Sequence, residues 1–242
     1  MPDAKPLSAM ERIINIFVSP SKTFNDLNRD ASWWLPWLIM SLFAVLFVCS
    51  VQTKIGWDQT AENMVGMSPK QTERMDRMSP EQRDQQMSMM SKSMQYTSYM
   101  WPIMALIFFV IMAAVLMATF NFGMGAEIPF GKSLAVVIYG SLPGLIKSLL
   151  VSFTLLAGRD PEGFNLRNPL ASNLGFLVDS TDHPALYAVL SSVDVFGIWI
   201  LILLGIGYSC VSKVKSKSST SVVAGWYVFV TLLGAGWASL FE

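Results

Sequence analysis

Five long apolar runs, separated by polar segments, dominate the pattern of hydrophobic and polar positions along the chain. An α-helix needs about 20 residues to cross the hydrocarbon core of a membrane, so runs of this length are typical of transmembrane helices. The polar segments leave little chain for a separate soluble domain. We therefore predict an all-α, polytopic membrane helix bundle in a single membrane domain over residues 1–242. The predicted spans are residues 33–51, 99–121, 133–157, 187–211 and 220–241.

The polar segment before the first span, residues 1–32, predicts an amphipathic helix. Ser8 and Glu11 have the three-residue spacing of a capping box, and Ser19-Pro20 ends the helix. Packing on the bundle would explain its apolar side, but the pattern favours an interfacial helix that lies flat on the membrane. The residues that share this apolar face are Met10, Ile13, Ile14, Phe17 and Val18.

The loop over residues 53–98 predicts further helices and is rich in methionine. Ser68-Pro69 and Ser79-Pro80 each place a capping serine before a proline at the first helical position. Clustered thioethers can bind monovalent copper, but no His or Cys accompanies them here. The spacing therefore favours helical packing or a partner-binding surface over a metal site. The methionines assigned to that partner surface are Met75, Met78, Met87, Met90 and Met94.

Glycine and proline positions in the third and fourth spans predict a kink and close helix packing. Pro143 has no N–H to donate to the carbonyl of Tyr139, so the third span should bend there. Small residues four apart allow two helices to approach closely. The residues assigned to the bend and the packing are Gly140, Pro143, Gly144, Gly197 and Gly205.

Lys147 and Asp194 are the only charges well inside the predicted spans. Charged groups are costly in hydrocarbon, so they pair with one another or mark a functional pathway. The predicted depths of the two residues differ by about one helical turn, a distance that a lysine stem can bridge. We therefore expect an intramembrane ion pair between the third and fourth spans. A structural role for this pair is favoured over a proton or substrate pathway.

The charged residues argue against nucleic-acid binding and predict the orientation of the chain in the membrane. The 17 basic and 17 acidic residues give no net charge that would point to nucleic acid. Basic residues are equally numerous on the two sides of the predicted membrane, but short loops carry more weight. Lys213, Lys215 and Lys217 occupy such a short loop. They predict a cytoplasmic N-terminus, an extracytoplasmic C-terminus and an extracytoplasmic 53–98 loop.

The sequence carries no pattern that is typical of catalysis. Its one histidine, His183, lies in Asp182-His183-Pro184, which a turn at the start of a helix explains. There is no nucleophile elbow, no cluster of metal ligands and no phosphate-binding glycine loop between a strand and a helix. We therefore predict no enzyme activity, no cofactor and no bound metal.

The order of several short motifs carries a family resemblance. The motifs are Arg12-Ile13-Ile14-Asn15-Ile16-Phe17, Ser19-Pro20 with Phe24, Trp34-Leu35-Pro36, Ser79-Pro80-Glu81-Gln82, Tyr139-Gly140-Ser141-Leu142-Pro143-Gly144, and Asp194-Val195-Phe196 with Trp199, Gly205 and Gly207. In this order, over nearly the whole chain, they resemble bacterial members of the Ypt/Rab-interacting protein (Yip) family of integral membrane proteins.

The resemblance implies a protein of the bacterial inner membrane with a cytoplasmic N-terminus and no catalytic activity. Eukaryotic relatives bind small GTPases of the Rab type and have a long cytosolic N-terminal region. Only about 32 residues precede the first span here, which argues against GTPase binding and for the bacterial branch. Some bacterial relatives resemble accessory partners of ABC-type efflux transporters.

Together, these observations predict a non-enzymatic membrane scaffold or accessory protein, acting as a partner of an ABC-type efflux transporter or as a membrane-organising factor. The alternative is a small transporter or channel that uses Lys147 and Asp194. Five spans without an evident internal repeat argue against a standard alternating-access design. The expected partners are the lipid bilayer and other membrane proteins or a second copy of the chain, and not nucleic acid.

Overall fold

The structure, a computed structural model, describes residues 6–179 and 181–241. Its regular structure is helical, and the described residues contain one isolated β-bridge but no strand. The predicted all-α class is confirmed. In chain order the helices are α1 (Ala9–Val18), α2 (Pro20–Asp26), α3 (Trp34–Lys54), α4 (Trp57–Gly66), α5 (Pro69–Asp76), α6 (Pro80–Tyr99), α7 (Trp101–Met124), α8 (Phe130–Gly140), α9 (Pro143–Leu156), α10 (Pro184–Ser192), α11 (Val195–Ser212) and α12 (Ser216–Phe241).

Five helical segments of the described chain are long and apolar enough to cross a membrane, which confirms the predicted number. The third of them consists of α8 and α9 together. The five segments are Trp34–Lys54, Trp101–Met124, Phe130–Leu156, Val195–Ser212 and Ser216–Trp237.

Serine caps start α1, α5 and α6 where the sequence predicts them. Ser8 accepts a hydrogen bond from the backbone N–H of Glu11, whose side chain bonds back to Ser8. Ser79 and Gln82 form the same reciprocal capping box at the start of α6, and Ser68 caps α5. These bonds satisfy backbone N–H groups that have no partner inside the helix. The predicted helix starts are therefore confirmed.

The third span is interrupted at the predicted bend. α8 ends at Gly140 and α9 begins at Pro143, with a tight turn between them. The N–H of Ser141 still bonds to the carbonyl of Val137 at 3.0 Å, as in a helix. Because Pro143 has no N–H, the helical hydrogen bonds cannot continue through it.

The fourth span differs from the prediction of one helix over residues 187–211. α10 and α11 are separate helices, so Asp194 precedes the candidate span that begins at Val195 and does not lie inside it. The break is caused by a hydrogen bond to a segment that is distant in sequence. Val195 donates its N–H to the carbonyl of Ser172, at 3.0 Å, and not to a carbonyl one turn earlier. A hydropathy pattern cannot reveal a hydrogen bond to a distant loop.

The described chain forms two compact units. The first comprises the residues up to Leu42 together with Pro102–Leu145 and Phe196–Val228. Its core is centred on α8, whose side chains are buried from Ser133 through Tyr139. The ring of Phe120 on α7 stacks on that of Tyr208 on α11, with centroids 4.7 Å apart and planes at 9°.

The second unit comprises Phe43–Trp101, Ile146–Val195 and the chain from Phe229 onward. In this unit α4 packs along α6, and α10 packs on a short 3₁₀ turn, Leu174–Leu177. The unit has an apolar core of its own, formed by Val48, Val51, Trp57, Val151, Leu155 and Phe164.

The apolar face predicted for α1 is only partly covered by the first unit. Ile13 and Phe17 pack against the core, and the buried positions of the helix are Arg12 and Ile16. The helix thus packs on the unit with one side and presents an apolar stripe on the other. The exposed stripe consists of Met10, Ile14 and Val18.

Candidate functional site

The loop between α9 and α10 pairs with the start of α11 and holds Asp194 in place. Val195 donates its backbone N–H to Ser172 at 3.0 Å, and Asn173 and Asp194 form an antiparallel bridge. A helix leaves its first N–H groups without partners inside the helix. The loop supplies a partner for the first N–H of α11, so this helix starts at a fixed residue.

The carboxylate of Asp194 binds two side chains through one oxygen. Nζ of Lys147, on α9, lies 3.0 Å from Oδ2, and the hydroxyl of Ser172 donates a hydrogen bond to the same atom. The side chain of Asp194 is 9% exposed and that of Lys147 is 29% exposed. A nearly buried carboxylate is costly unless it is paired and hydrogen-bonded, and Asp194 is both. The structure thus brings together the two charges that the sequence paired, and it adds Ser172.

A chain of amide hydrogen bonds extends from the bridge to α10. Asn173 and Asn168 exchange side-chain bonds of 2.6 and 3.2 Å. Nδ2 of Asn168 also donates to the hydroxyl of Tyr187 at 3.0 Å, and Nδ2 of Asn165 donates to the same hydroxyl at 3.2 Å. Connected polar groups of this kind polarise and orient one another. The network therefore fixes the conformation of the loop beside Asp194.

Two further side chains form hydrogen bonds that hold the first part of the loop between α9 and α10. Arg159 donates to the carbonyl of Pro169, and its guanidinium carbon lies 5.5 Å from the centroid of the Phe164 ring. Asn63 of α4 donates to the carbonyls of Pro161 and Phe164, at 2.8 and 3.2 Å. The loop is thus attached to α4 as well as to α11.

A second buried charge cluster joins α1 to α2 in the first unit. Nε of Arg12 donates to Oδ2 of Asp26 at 2.7 Å, and Nη1 donates to Oδ2 of Asp30 at 3.1 Å. The hydroxyl of Thr23 donates to the backbone carbonyl of Arg12 at 2.9 Å. Arg12 and Asp26 are buried, whereas Asp30 is exposed. One guanidinium therefore connects two short helices and the segment that follows them.

The environment of Arg12 keeps it charged. Burial lowers the pKa of the guanidinium, but the hydrogen bonds to Asp26 and Asp30 outweigh burial and hold the pKa above its ordinary value. An arginine side chain with a raised pKa does not release its proton in a protein. Arg12 can therefore compensate the buried Asp26 and orient helices, but it is unsuited to proton transfer.

The pattern of residues along the chain does not reveal the Arg12 cluster. Arg12 lies among apolar residues of an amphipathic helix, where a charged residue is usually assigned to the solvent face. The available signal was the four-residue spacing of Asp26 and Asp30, which can place both acids on one side of a helix. That spacing alone does not identify the basic partner.

Glycines lie where helices of the first unit approach one another closely. A Cβ on Gly140 would lie 2.7 Å from Cδ2 of Leu204, and a Cβ on Gly205 would lie 3.0 Å from Cα of Thr220. Two of the predicted packing glycines thus lie at helix contacts, α8 with α11 and α11 with α12. Gly144 has open space around its Cβ position and does not mediate close packing. Gly197 is half-buried.

The methionines assigned to a partner surface are largely covered by their own unit. Met75 is buried and Met94 packs against the core of the second unit, so at these two positions the methionines pack within the unit, one of the two roles that their spacing predicts. In this unit α4 packs against α5, which carries Met75, and along α6, which carries Met94. The remaining three, which are half-buried, are Met78, Met87 and Met90.

Within the described residues, no group of three or more His, Cys, Asp or Glu side chains is arranged to hold a metal ion. His183 is exposed and precedes α10, and Cys49 and Cys210 are not joined to each other. The two charge clusters can neutralise buried groups and fix short elements to longer helices. Their geometry therefore fits a structural role.

The sequence model of the Yip1 domain matches residues 14–238 of the chain. The match includes both members of the Lys147–Asp194 pair and the acids of the Arg12 cluster. A comparison with curated proteins gave no match, and a comparison with solved structures gave none either.

Proposed function

Because the chain belongs to the Yip1 domain family, we propose that it is a non-enzymatic integral membrane scaffold or accessory protein that binds another membrane protein. Family membership confirms the resemblance to the Yip family that the motifs carry. The five candidate spans make it an integral membrane protein. Its partner is a membrane protein, for example an ABC-type efflux transporter, or a second copy of the chain.

The observation that carries this proposal is the fixed environment of Asp194. Its carboxylate accepts hydrogen bonds from Lys147 and Ser172, and its backbone is bridged to Asn173. A transport site must have two arrangements, so that an ion or substrate can be bound and released. The extensive bonding around Asp194 favours one arrangement and supports a structural role.

The proposed topology places the N-terminus in the cytoplasm and the C-terminus outside, in a bacterial inner membrane. The short loop with Lys213, Lys215 and Lys217 supports it, because basic residues in short loops are retained on the cytoplasmic side. In this proposal residues 1–242 form one membrane domain, with the 53–98 helices on the extracytoplasmic side. Labelling of single cysteines in intact cells tests the topology. Exposure of a 53–98 position only from the cytoplasm would contradict it.

A small transporter or channel is the second candidate. It is favoured by the partial exposure, 29%, of the Lys147 side chain, which leaves part of that side chain accessible. Ion flux into proteoliposomes tests it. Flux that disappears in the Asp194→Asn variant would establish this candidate, whereas equal permeability of wild-type, variant and empty liposomes would exclude it.

Purification in lipid nanodiscs formed directly from membranes tests the scaffold proposal. We expect a membrane protein to accompany the tagged chain at a constant ratio, measured by quantitative mass spectrometry over a tenfold range of expression. The control is an unrelated tagged five-span protein at the same level. A chain that is isolated alone at every level, without self-association, would contradict the proposal.

A further inference from the structure

Basic side chains of the first unit lie at the ends of three candidate spans. Lys132 is in the first turn of α8, Lys213 follows α11, and Lys215 and Lys217 lie at the start of α12. Lys132 is half-buried and the other three are exposed. We refer to these four lysines as the basic face. Residues at the end of a span lie at the level of the lipid headgroups.

Asn28 joins the two parts of the basic face. Its Oδ1 accepts a hydrogen bond from Nζ of Lys132 at 3.4 Å, and its Nδ2 donates to the backbone carbonyl of Cys210 at 3.3 Å. Lys213 follows Cys210 by three residues. The start of α8 and the end of α11 therefore meet at one side chain, which brings Lys132 near the three-lysine loop.

The loop that carries the lysines has a defined conformation. Lys213 adopts a positive φ of 62°, the left-handed conformation that ends many helices. The hydroxyl of Ser209 donates to the carbonyl of Val214 at 2.8 Å, and Ser219 donates to the carbonyl of Gly205 at 2.8 Å. The lysines are thus presented by a fixed turn, so less ordering is needed when they bind an anion.

Acids nearby do not neutralise this face. Asp26 and Asp30, which lie beside Asn28 in sequence, both bind Arg12. Glu127 is the only acid between residues 116 and 136, and residues 203–225 contain none. Arg12 offsets one of the two aspartates, so the other aspartate and Glu127 leave two negative charges against the four lysines, and the face keeps an excess of positive charge.

An exposed aromatic side chain lies at the end of α7, in the same hairpin as Lys132. Phe122 is 92% exposed. The side chain of Asn121 closes this hairpin by bonding to the N–H and the carbonyl of Ile128, at 2.9 and 3.1 Å. An aromatic ring beside cations is suited to the boundary between headgroups and acyl chains.

We propose that the basic face binds the phosphate headgroups of anionic phospholipids, with Phe122 inserted into the acyl boundary. A basic residue near an anionic membrane surface contributes about 1 kcal/mol to lipid binding, which is about a fivefold change in affinity. Three lysines together therefore contribute on the order of a hundredfold. Lipid binding by the basic face requires only that the chain is in a membrane, and it does not depend on a protein partner.

The test uses the full chain in neutral detergent, titrated with phosphatidylglycerol, with phosphatidylcholine or with inorganic phosphate. Native mass spectrometry counts the retained lipids, and thermal unfolding gives the midpoint shift. The variant is Lys213→Gln/Lys215→Gln/Lys217→Gln. The matched control, Lys54→Gln/Lys70→Gln/Lys92→Gln, removes three other exposed lysines and the same net charge. A Lys→Arg triple variant at 213, 215 and 217 checks that positive charge is sufficient.

We expect phosphatidylglycerol to bind the first variant on the order of a hundredfold more weakly than wild type. The control and the arginine variant should bind it like wild type. Equal losses in the variant and its control would overturn the proposal. Retention of wild-type affinity by the first variant would also overturn it. Equal stabilisation by inorganic phosphate would show a site for free anions instead of lipids.

Discussion

Nζ of Lys147 lies 3.0 Å from Oδ2 of Asp194, although the two residues are 47 positions apart in the chain. The pair links α9 to the residue that immediately precedes α11, and Ser172 binds the same carboxylate oxygen. Breaking a buried ion pair by removing one partner costs more than the pair itself contributes, because an uncompensated charge is left behind. Single and double substitutions therefore distinguish a structural pair from a transport site.

The Asp194→Asn variant should lose about 2–4 kcal/mol of unfolding free energy, because Lys147 is left partly buried without a counter-charge. The double variant Lys147→Met/Asp194→Asn should recover part of this loss. Thermal unfolding in detergent measures both. Asp84→Asn, at an exposed acid of α6, is the control and should have little effect. Losses that simply add in the double variant would refute the coupling.

The Arg12→Leu variant should lose about 3–5 kcal/mol, because Asp26 is then buried without its cation. Arg12→Lys should recover only part of it, since an ammonium cannot reproduce two directed guanidinium bonds. Arg83, which is exposed on α6, supplies the control Arg83→Leu. The measurements are the unfolding midpoint and the rate of proteolysis in the segment of chain that precedes Trp34. Equal stability of the Leu and Lys variants would contradict this assignment.

The Gly205→Ala variant should be destabilised by about 1–3 kcal/mol, because the added methyl group would lie 3.0 Å from the backbone of Thr220. Gly140→Ala should cost less, since its nearest neighbour is the end of a leucine side chain that can shift. Gly144→Ala is the internal control, because nothing lies within 4 Å of its Cβ position. Unfolding midpoints that fall equally for all three would contradict the proposed helix contacts.

The exposed stripe of α1 should contact lipid. A fluorophore attached to Ile14→Cys, in a Cys49→Ala/Cys210→Ala background, should be quenched by brominated acyl chains. The same fluorophore on Ser21→Cys, an exposed position of α2, should be quenched much less. Equal quenching at the two positions would show that α1 has no preferred contact with the bilayer.

Hydropathy and capping patterns were sufficient to predict the all-α class, the number of spans and the starts of α1, α5 and α6. They also suggested the partnership of Lys147 and Asp194, because charges within apolar runs are few. They failed where a distant segment determines local structure. The break before Val195 depends on a hydrogen bond to Ser172, and the burial of Arg12 depends on Asp26. Neither contact has a periodic pattern in the sequence.

The most direct test of the scaffold proposal is partner retention by the Lys147→Met/Asp194→Asn variant in nanodiscs. If the pair serves structure, this variant should retain the same partner at the same ratio as wild type once its folded fraction is matched. Reconstituted liposomes of either protein should then show no flux above empty liposomes. Isolation of the wild-type chain alone, combined with flux that the double substitution abolishes, would contradict the proposal.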